Sequence, residues 1–270
     1  MDHRRLTVNC SILFRSLPLH QRPQAAREAG FDAVEFWWPF ESAVPRDSHV
    51  DAFVTAIGDA GVRLTHLNFA AGNLAAGDRG LVSDPRASGE FRDSVDVAVG
   101  IGKLLGTVGF NALYGNRIEG VGADSQDHLA AENLAFAARA AATIDADILI
   151  EPLSAIPTYP LRRAADAIQV IERVRREHGC RNLKLLADLY HLAVNGEDLG
   201  MVLSGLTDDI GHVQIADAPG RSEPGTGTLD LAGHLRTLAA EGYRGWISLE
   251  YEATRPDPFD WLPGFAWGTT

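Results

Sequence analysis

The chain alternates without interruption between short apolar runs and amphipathic segments of helical period, and every other reading must satisfy that alternation. The runs 6–12, 31–38, 62–69, 107–113, 146–153, 183–190, 210–216 and 245–251 are branched and apolar enough for burial on both faces. Between them, 19–30, 50–61, 90–105, 126–144, 164–177, 197–206 and 229–241 place apolar residues at the spacing of one helix face. Gly30 is placed to stop the first helix, Asp47 or Ser48 to cap the second, and Asp124 or Ser125 to cap the fourth. The Pro-rich tail after Tyr251, with Trp261 and Trp267, has room for at most a short eighth helix. Such strands pair in parallel and need helices on both sides of the sheet. Eight units in 270 residues leave roughly 34 each, the size of one βα unit. An open doubly wound sheet would carry a glycine-rich phosphate turn after its first strand, where Ser11-Ile-Leu-Phe-Arg-Ser-Leu-Pro18 stands instead. The expectation is a single (β/α)8 TIM barrel filling 1–270 as one domain.

Composition narrows the partners. With 24 basic against 36 acidic residues the net charge is −12, which opposes a phosphate backbone or an anionic membrane surface as ligand. The expected partner is a small molecule, with no nucleic acid and no membrane. Cys10 and Cys180 are too few for a disulfide framework, the start at Met1 to Arg5 runs straight into a strand, and no run approaches about 18 apolar residues. A soluble, cytoplasmic protein is expected.

Four residues spoil the apolar pattern in the same way. Glu151, Asp188, Gln214 and Glu250 each stand late in one of the last four strand-like runs. In a barrel, functional groups come from the C-terminal ends of the strands and the loops after them, so the four converge. Three converging carboxylates raise each other's pKa unless a cation lies between them. A divalent metal resolves the conflict. The donors are all oxygen, three carboxylates and an amide carbonyl, a set that suits Mg²⁺ or Mn²⁺ rather than Zn²⁺.

The same residues carry a resemblance. Ile150-Glu-Pro-Leu153, Asp188-Leu-Tyr-His191, Gly211-His-Val-Gln-Ile-Ala-Asp-Ala-Pro-Gly-Arg-Ser-Glu-Pro-Gly-Thr-Gly227 and Leu249-Glu-Tyr251 resemble the hydroxypyruvate isomerase family, within the xylose-isomerase-like barrels that include tagatose epimerases. The likeness extends to Val34-Glu-Phe36, to Asn68-Phe-Ala-Ala-Gly-Asn73 and to Ala75-Ala-Gly-Asp-Arg-Gly-Leu81. It implies an isomerase that interconverts hydroxypyruvate and 2-hydroxy-3-oxopropanoate through an enediolate. Glu151 and Glu250 would transfer the protons while Asp188 and Gln214 hold the metal. The family implies Arg221 for the substrate carboxylate, with Arg79 as second candidate, and His191 as the group that polarises a substrate oxygen. From their places late in strands two to four, Glu35, His66, Asn68 and Asn111 are further candidate substrate contacts. His212 is read as packing beneath Gln214, and Trp37, Trp38 and Phe69 as core or pocket wall. One departure touches specificity: Ser154-Ala-Ile-Pro-Thr-Tyr159 lacks the acidic residue that the family carries there.

Alternatives with the same site are a 2-oxotetronate isomerase and a ketose 3-epimerase acting on a free sugar. More remote are a non-catalytic sugar-acid binding barrel and an abasic-site endonuclease relative. The second needs a richer His cluster and a basic surface. Barrels of this family pair through surface helices, so the resemblance raises a homo-oligomer, though the residues do not specify one.

Overall fold

The computed structural model of the protein describes residues 6–265. Eight parallel strands run β1 (Leu6–Asn9), β2 (Ala33–Phe36), β3 (Arg63–Asn68), β4 (Gly109–Asn111), β5 (Asp147–Ile150), β6 (Leu183–Asp188), β7 (Ile210–Ile215) and β8 (Ile247–Leu249). Each pairs with the next, and β8 closes on β1. The expected (β/α)8 barrel is what forms. The outer helices are α1 (Arg22–Glu28), α2 (Asp47–Ala60), α3 (Ser88–Leu105), α4 (Ala123–Ala142), α5 (Ala164–His178), α6 (Leu189–Val194), α7 (Leu199–Leu206) and α8 (Leu231–Ala240). Their inner faces follow the helical period: Phe91, Val95, Ala98 and Ile101 on α3, and Ala167, Ile171 and Val174 on α5, are all buried. On α4 the buried face is mostly alanine, which lets that helix approach the sheet closely. No helix among the described residues is long and apolar enough to cross a membrane.

Two irregularities set the phase of the side chains that matter. The register shifts between Val34 and Glu35 on the β2–β3 pair, bringing Glu35 opposite His66. It shifts again between Leu185 and Leu186 on the β6–β7 pair, where Ile210 faces Leu185 but His212 faces Leu186. Gly211 is the extra residue of that second bulge. A Cβ on Gly211 would stand 2.6 Å from Lys184 Cβ, so a glycine is what fits between the strands there. The consequence is that Gln214 pairs directly with Asp188, and the two side chains share one face.

The ends of the elements differ from the sequence expectation in three respects. Glu151 and Glu250 lie one residue beyond β5 and β8 rather than inside them. The run 183–190 stops as a strand at Asp188, whose side chain accepts hydrogen bonds from the backbone N–H of Tyr190 and His191 and so starts α6 directly. Asp47, Ser48, Asp124 and Ser125 are not caps: they lie inside the first turns of α2 and α4, whose N-cap positions are Arg46 and Gly122 with no side-chain bond. The tail carries a single 3-10 turn, Leu262–Gly264, while Trp267 and the Met1 to Arg5 start lie outside the described residues.

Candidate active site

The strand ends surround a cavity of about 390 Å³ at the C-terminal end of the barrel. Glu151 and Glu250 are part of its wall, with His191, Arg221, Asn68, Arg79 and Trp37. Asp188 and Gln214 are not part of the lining, but both are buried in register beside it. Of the further candidates, Glu35, His66 and Asn111 also fall outside the lining. Asn111 donates from Nδ2 to Glu151 Oε2 at 2.7 Å, so it braces a carboxylate of the cavity wall. Glu35 and His66 belong to a separate polar network within the barrel.

Three of the four residues expected to hold a metal have a buried oxygen with no hydrogen-bond partner. Asp188 uses Oδ1 to cap α6, and its buried Oδ2 has no hydrogen-bond partner. Gln214 uses Nε2 to donate to Glu35 Oε1 at 2.9 Å, and its buried Oε1 has no partner. Glu250 accepts on Oε1 from Trp37 Nε1 at 3.0 Å and Arg221 Nη2 at 2.9 Å, and its Oε2 has no partner. Buried polar atoms are normally satisfied, so three orphan oxygens at the ends of three adjoining strands could hold a cation. Glu151 completes the set: its carboxylate and those of Asp188 and Glu250 repel one another. Burial, then the Asp188 charge, pushes Glu151 up to about 8. Burial also holds Glu250 well above the ordinary carboxylate range, against the pull of Arg221.

Glu151, Asp188 and His191 also bring ligand atoms within 4.8 Å of one another. The imidazole is better suited to another role. The backbone N–H of Ser154 donates to His191 Nδ1 at 3.1 Å, so Nδ1 is an acceptor and the ring proton sits on Nε2. Burial holds His191 below its ordinary pKa, though Asp188 pulls the other way. A neutral ring with its proton on Nε2 can donate to an oxygen.

Arg221 lies between the acids, 2.9 Å from Glu250 Oε1 and 3.7 Å from Asp188 Oδ2, with its guanidinium 5.6 Å from the Tyr190 ring centroid. Burial works against its charge, but Glu250, Asp188 and Glu151 together hold its pKa above the ordinary value. Its buried Nε has no hydrogen-bond partner, and the side chain lines the cavity. Arg79 is turned to the backbone carbonyls of Leu74 and Asp78. Two of the described non-glycine residues with left-handed backbone, Ala155 (φ 61°) and Arg221 (φ 54°), line this cavity. Such strain collects where a site overrides local preference.

The sequence reading left two contributors unassigned. Trp37, weighed as wall or plain core, is wall and also a donor to Glu250. Ser154, in the loop that departs from the family, sets the His191 tautomer.

The second cluster leaves no carboxylate oxygen unpartnered. Glu35 Oε2 is bonded to His212 Nε2 at 2.6 Å, and His212 stacks on His66 with ring centroids 3.6 Å apart. The stack needs Gly109, where a Cβ would stand 2.8 Å from His66 Cδ2. Glu35, His66 and His212 also place ligand atoms within 4.8 Å, but the direct bond takes the facing valence of Glu35. Glu35 is held below its ordinary pKa: burial raises it, and the charge and hydrogen bond of His212 and the bond from Gln214 outweigh that.

The model of the xylose isomerase-like TIM barrel family matches residues 23–269. The chain belongs to that family. It is 52% identical to a putative hydroxypyruvate isomerase of Streptomyces coelicolor, over 97% of this chain and 96% of that one. It is 33% identical to the hydroxypyruvate isomerase of Escherichia coli, over 92% and 93%, and 34% identical to a 2-oxo-tetronate isomerase of Cupriavidus necator, over 92% of each. A solved structure titled AP endonuclease, family 2, from Brucella melitensis superposes with a TM-score of 0.85 at 29% identity, covering 97% and 98%. With isomerases this similar along nearly its whole length, the chain is an isomerase of the xylose isomerase-like family.

Proposed function

We propose that the chain interconverts hydroxypyruvate and 2-hydroxy-3-oxopropanoate. The observation that carries this reading is the pairing, on one cavity wall, of two buried carboxyl groups, Glu151 and Glu250, with the guanidinium of Arg221. In the reaction one carboxylate takes a proton from C3 of hydroxypyruvate, and the other carboxyl delivers a proton to C2. The hydroxyl proton passes from O3 to O2, so atoms and charge balance through the enediolate. His191 donates from Nε2 to a substrate oxygen and Arg221 holds the substrate carboxylate. Trp37 fixes the Glu250 carboxyl. A divalent cation, Mg²⁺ or Mn²⁺, fits the oxygen donors of Glu151, Asp188, Gln214 and Glu250, and would stabilise the negative charge that develops on the two substrate oxygens.

A second reading, the same chemistry on a four-carbon 2-oxotetronate, draws on the cavity volume of about 390 Å³, which exceeds what a three-carbon acid fills. The net charge of −12 weighs against a DNA ligand. The deciding experiment presents hydroxypyruvate, 2-oxotetronates and free ketoses with and without chelator, following solvent deuterium into substrate carbon by NMR. Chelator-sensitive exchange on hydroxypyruvate is expected, and exchange only at C3 of a free ketose would replace this reading with an epimerase. Glu151→Gln and Glu250→Gln each lower kcat by roughly 10²–10⁴ in a folded protein, and turnover surviving in either removes that residue from the proton-transfer pair.

A further inference from the structure

An amide side chain presents oxygen at one end and N–H at the other, so a glutamine offered to a cation must have its direction set by something else. At Gln214 a chain of donors and acceptors does this, beginning at a group that cannot turn round. The backbone N–H of Ser11 donates to Asn9 Oδ1 at 2.9 Å. That fixes the Asn9 amide, so its Nδ2 faces Glu35 and donates to Oε1 at 2.9 Å. The same Glu35 oxygen then faces Gln214, where it can accept only from N–H, and it does so at 2.9 Å. The Gln214 carbonyl oxygen is left buried, unpartnered and in register with Asp188, whose own free oxygen is likewise buried. Asn9 and Glu35 are both almost wholly buried, so water does not substitute for either link.

We infer that Glu35 is a positioning residue that points the carbonyl oxygen of Gln214 at the cation site, through a hydrogen-bond relay anchored at the Ser11 backbone N–H. Glu35 itself does not touch the substrate cavity. The inference rests on the reading of Gln214 as a metal-holding residue and goes beyond it, because it names what gives a neutral amide a direction.

The role requires an acceptor at the Oε1 position of Glu35, and it does not require a charge. In Glu35→Gln the new oxygen can still receive both amides, with the new NH₂ turned to His212, whose Nδ1 has no partner and whose tautomer is therefore free to change. In Glu35→Leu no acceptor remains. The test is a Mn²⁺ titration of the metal-free full-length protein, followed by the loss of free-ion EPR signal, for wild type, Glu35→Leu, Glu35→Gln and Gln214→Ala. Outer partners of metal ligands contribute roughly 10–100-fold to affinity, and Glu35→Leu is expected to lose that much while Glu35→Gln keeps most of it. Equal loss in both variants, or no loss in Glu35→Leu, overturns the inference with the metal site intact. Wild type that takes up no Mn²⁺, or Gln214→Ala that binds as wild type does, overturns the metal reading itself and the inference with it. Should Glu35→Leu not fold, a neutron structure of the Mn²⁺-loaded wild type decides: deuterons on the Gln214 nitrogen facing Glu35 are expected, and the reversed amide overturns the relay.

Discussion

Two clusters of acidic and imidazole groups share the barrel, joined through Gln214, and they differ in whether their carboxylate oxygens are spent. In the cluster of Glu35, His66 and His212, both oxygens of the carboxylate are taken, by Asn9 and Gln214 on one side and by His212 on the other. Around Glu151, Asp188 and Glu250, two carboxylates keep a buried oxygen with no partner. Residue type does not separate the two, since each offers a carboxylate–imidazole triad of similar compactness. Spare carboxylate oxygen does: His66 Nδ1 and His212 Nδ1 also lack partners, but neither oxygen of Glu35 is left for a cation, whereas Asp188 Oδ2 and Glu250 Oε2 are.

That contrast can be broken most forcefully by truncating one member of each. Glu35→Ala strands three buried donors, on Asn9, Gln214 and His212, and is expected to cost about 3–5 kcal/mol in urea unfolding. Asp188→Asn keeps a capping oxygen for α6 and is expected to cost less than about 1.5 kcal/mol while Mn²⁺ affinity falls at least roughly 100-fold. The reverse pattern would show that the scaffold and the site have been assigned the wrong way round.

Acidity sharpens the same comparison. Glu151 is raised from 4.5 to about 8, so between those values the folded metal-free protein keeps a proton that the unfolded chain has lost. Its contribution therefore makes stability fall as pH rises through that window, and Glu151→Gln should flatten the fall in Tm. Cation binding must displace the proton, so Mn²⁺ affinity should climb with pH through that window, and more steeply wherever the raised Glu250 carboxyl must also be deprotonated. A pH-independent affinity would contradict the unsaturated state of the site. The smallest effect is expected at Ser154. Its hydroxyl lies 2.7 Å from His191 Nδ1, but its backbone N–H already fixes the tautomer. Ser154→Ala should lower kcat by less than about tenfold, and a larger loss would mean that the hydroxyl sets the ring.

The barrel was legible because burial on both faces writes itself into continuous apolar runs, and the four interrupting residues stood out against them. What the sequence hid was directional. Asp188 reads as part of a strand running to Tyr190, yet its side chain caps a helix at once, a choice made by two hydrogen bonds and invisible to hydropathy. Glu35 looked able to face the substrate because it lies late in its run, whereas the bulges that set its neighbours depend on register between strands far apart in the chain. Trp37 reads as core until closure of the barrel sets it against Glu250, 213 residues away. The expected helix caps failed for a milder reason: Asp47 and Asp124 suit a first turn as well as a cap, and hydropathy does not distinguish the two.

Arg221 has a consequence for how such a molecule is made. A guanidinium seated between Glu250 and Asp188 gives the acidic mouth a counter-charge encoded in the chain itself. The barrel can then close with these carboxylates already countered from within the chain, the positive charge arriving on the same strand-seven loop that completes the wall.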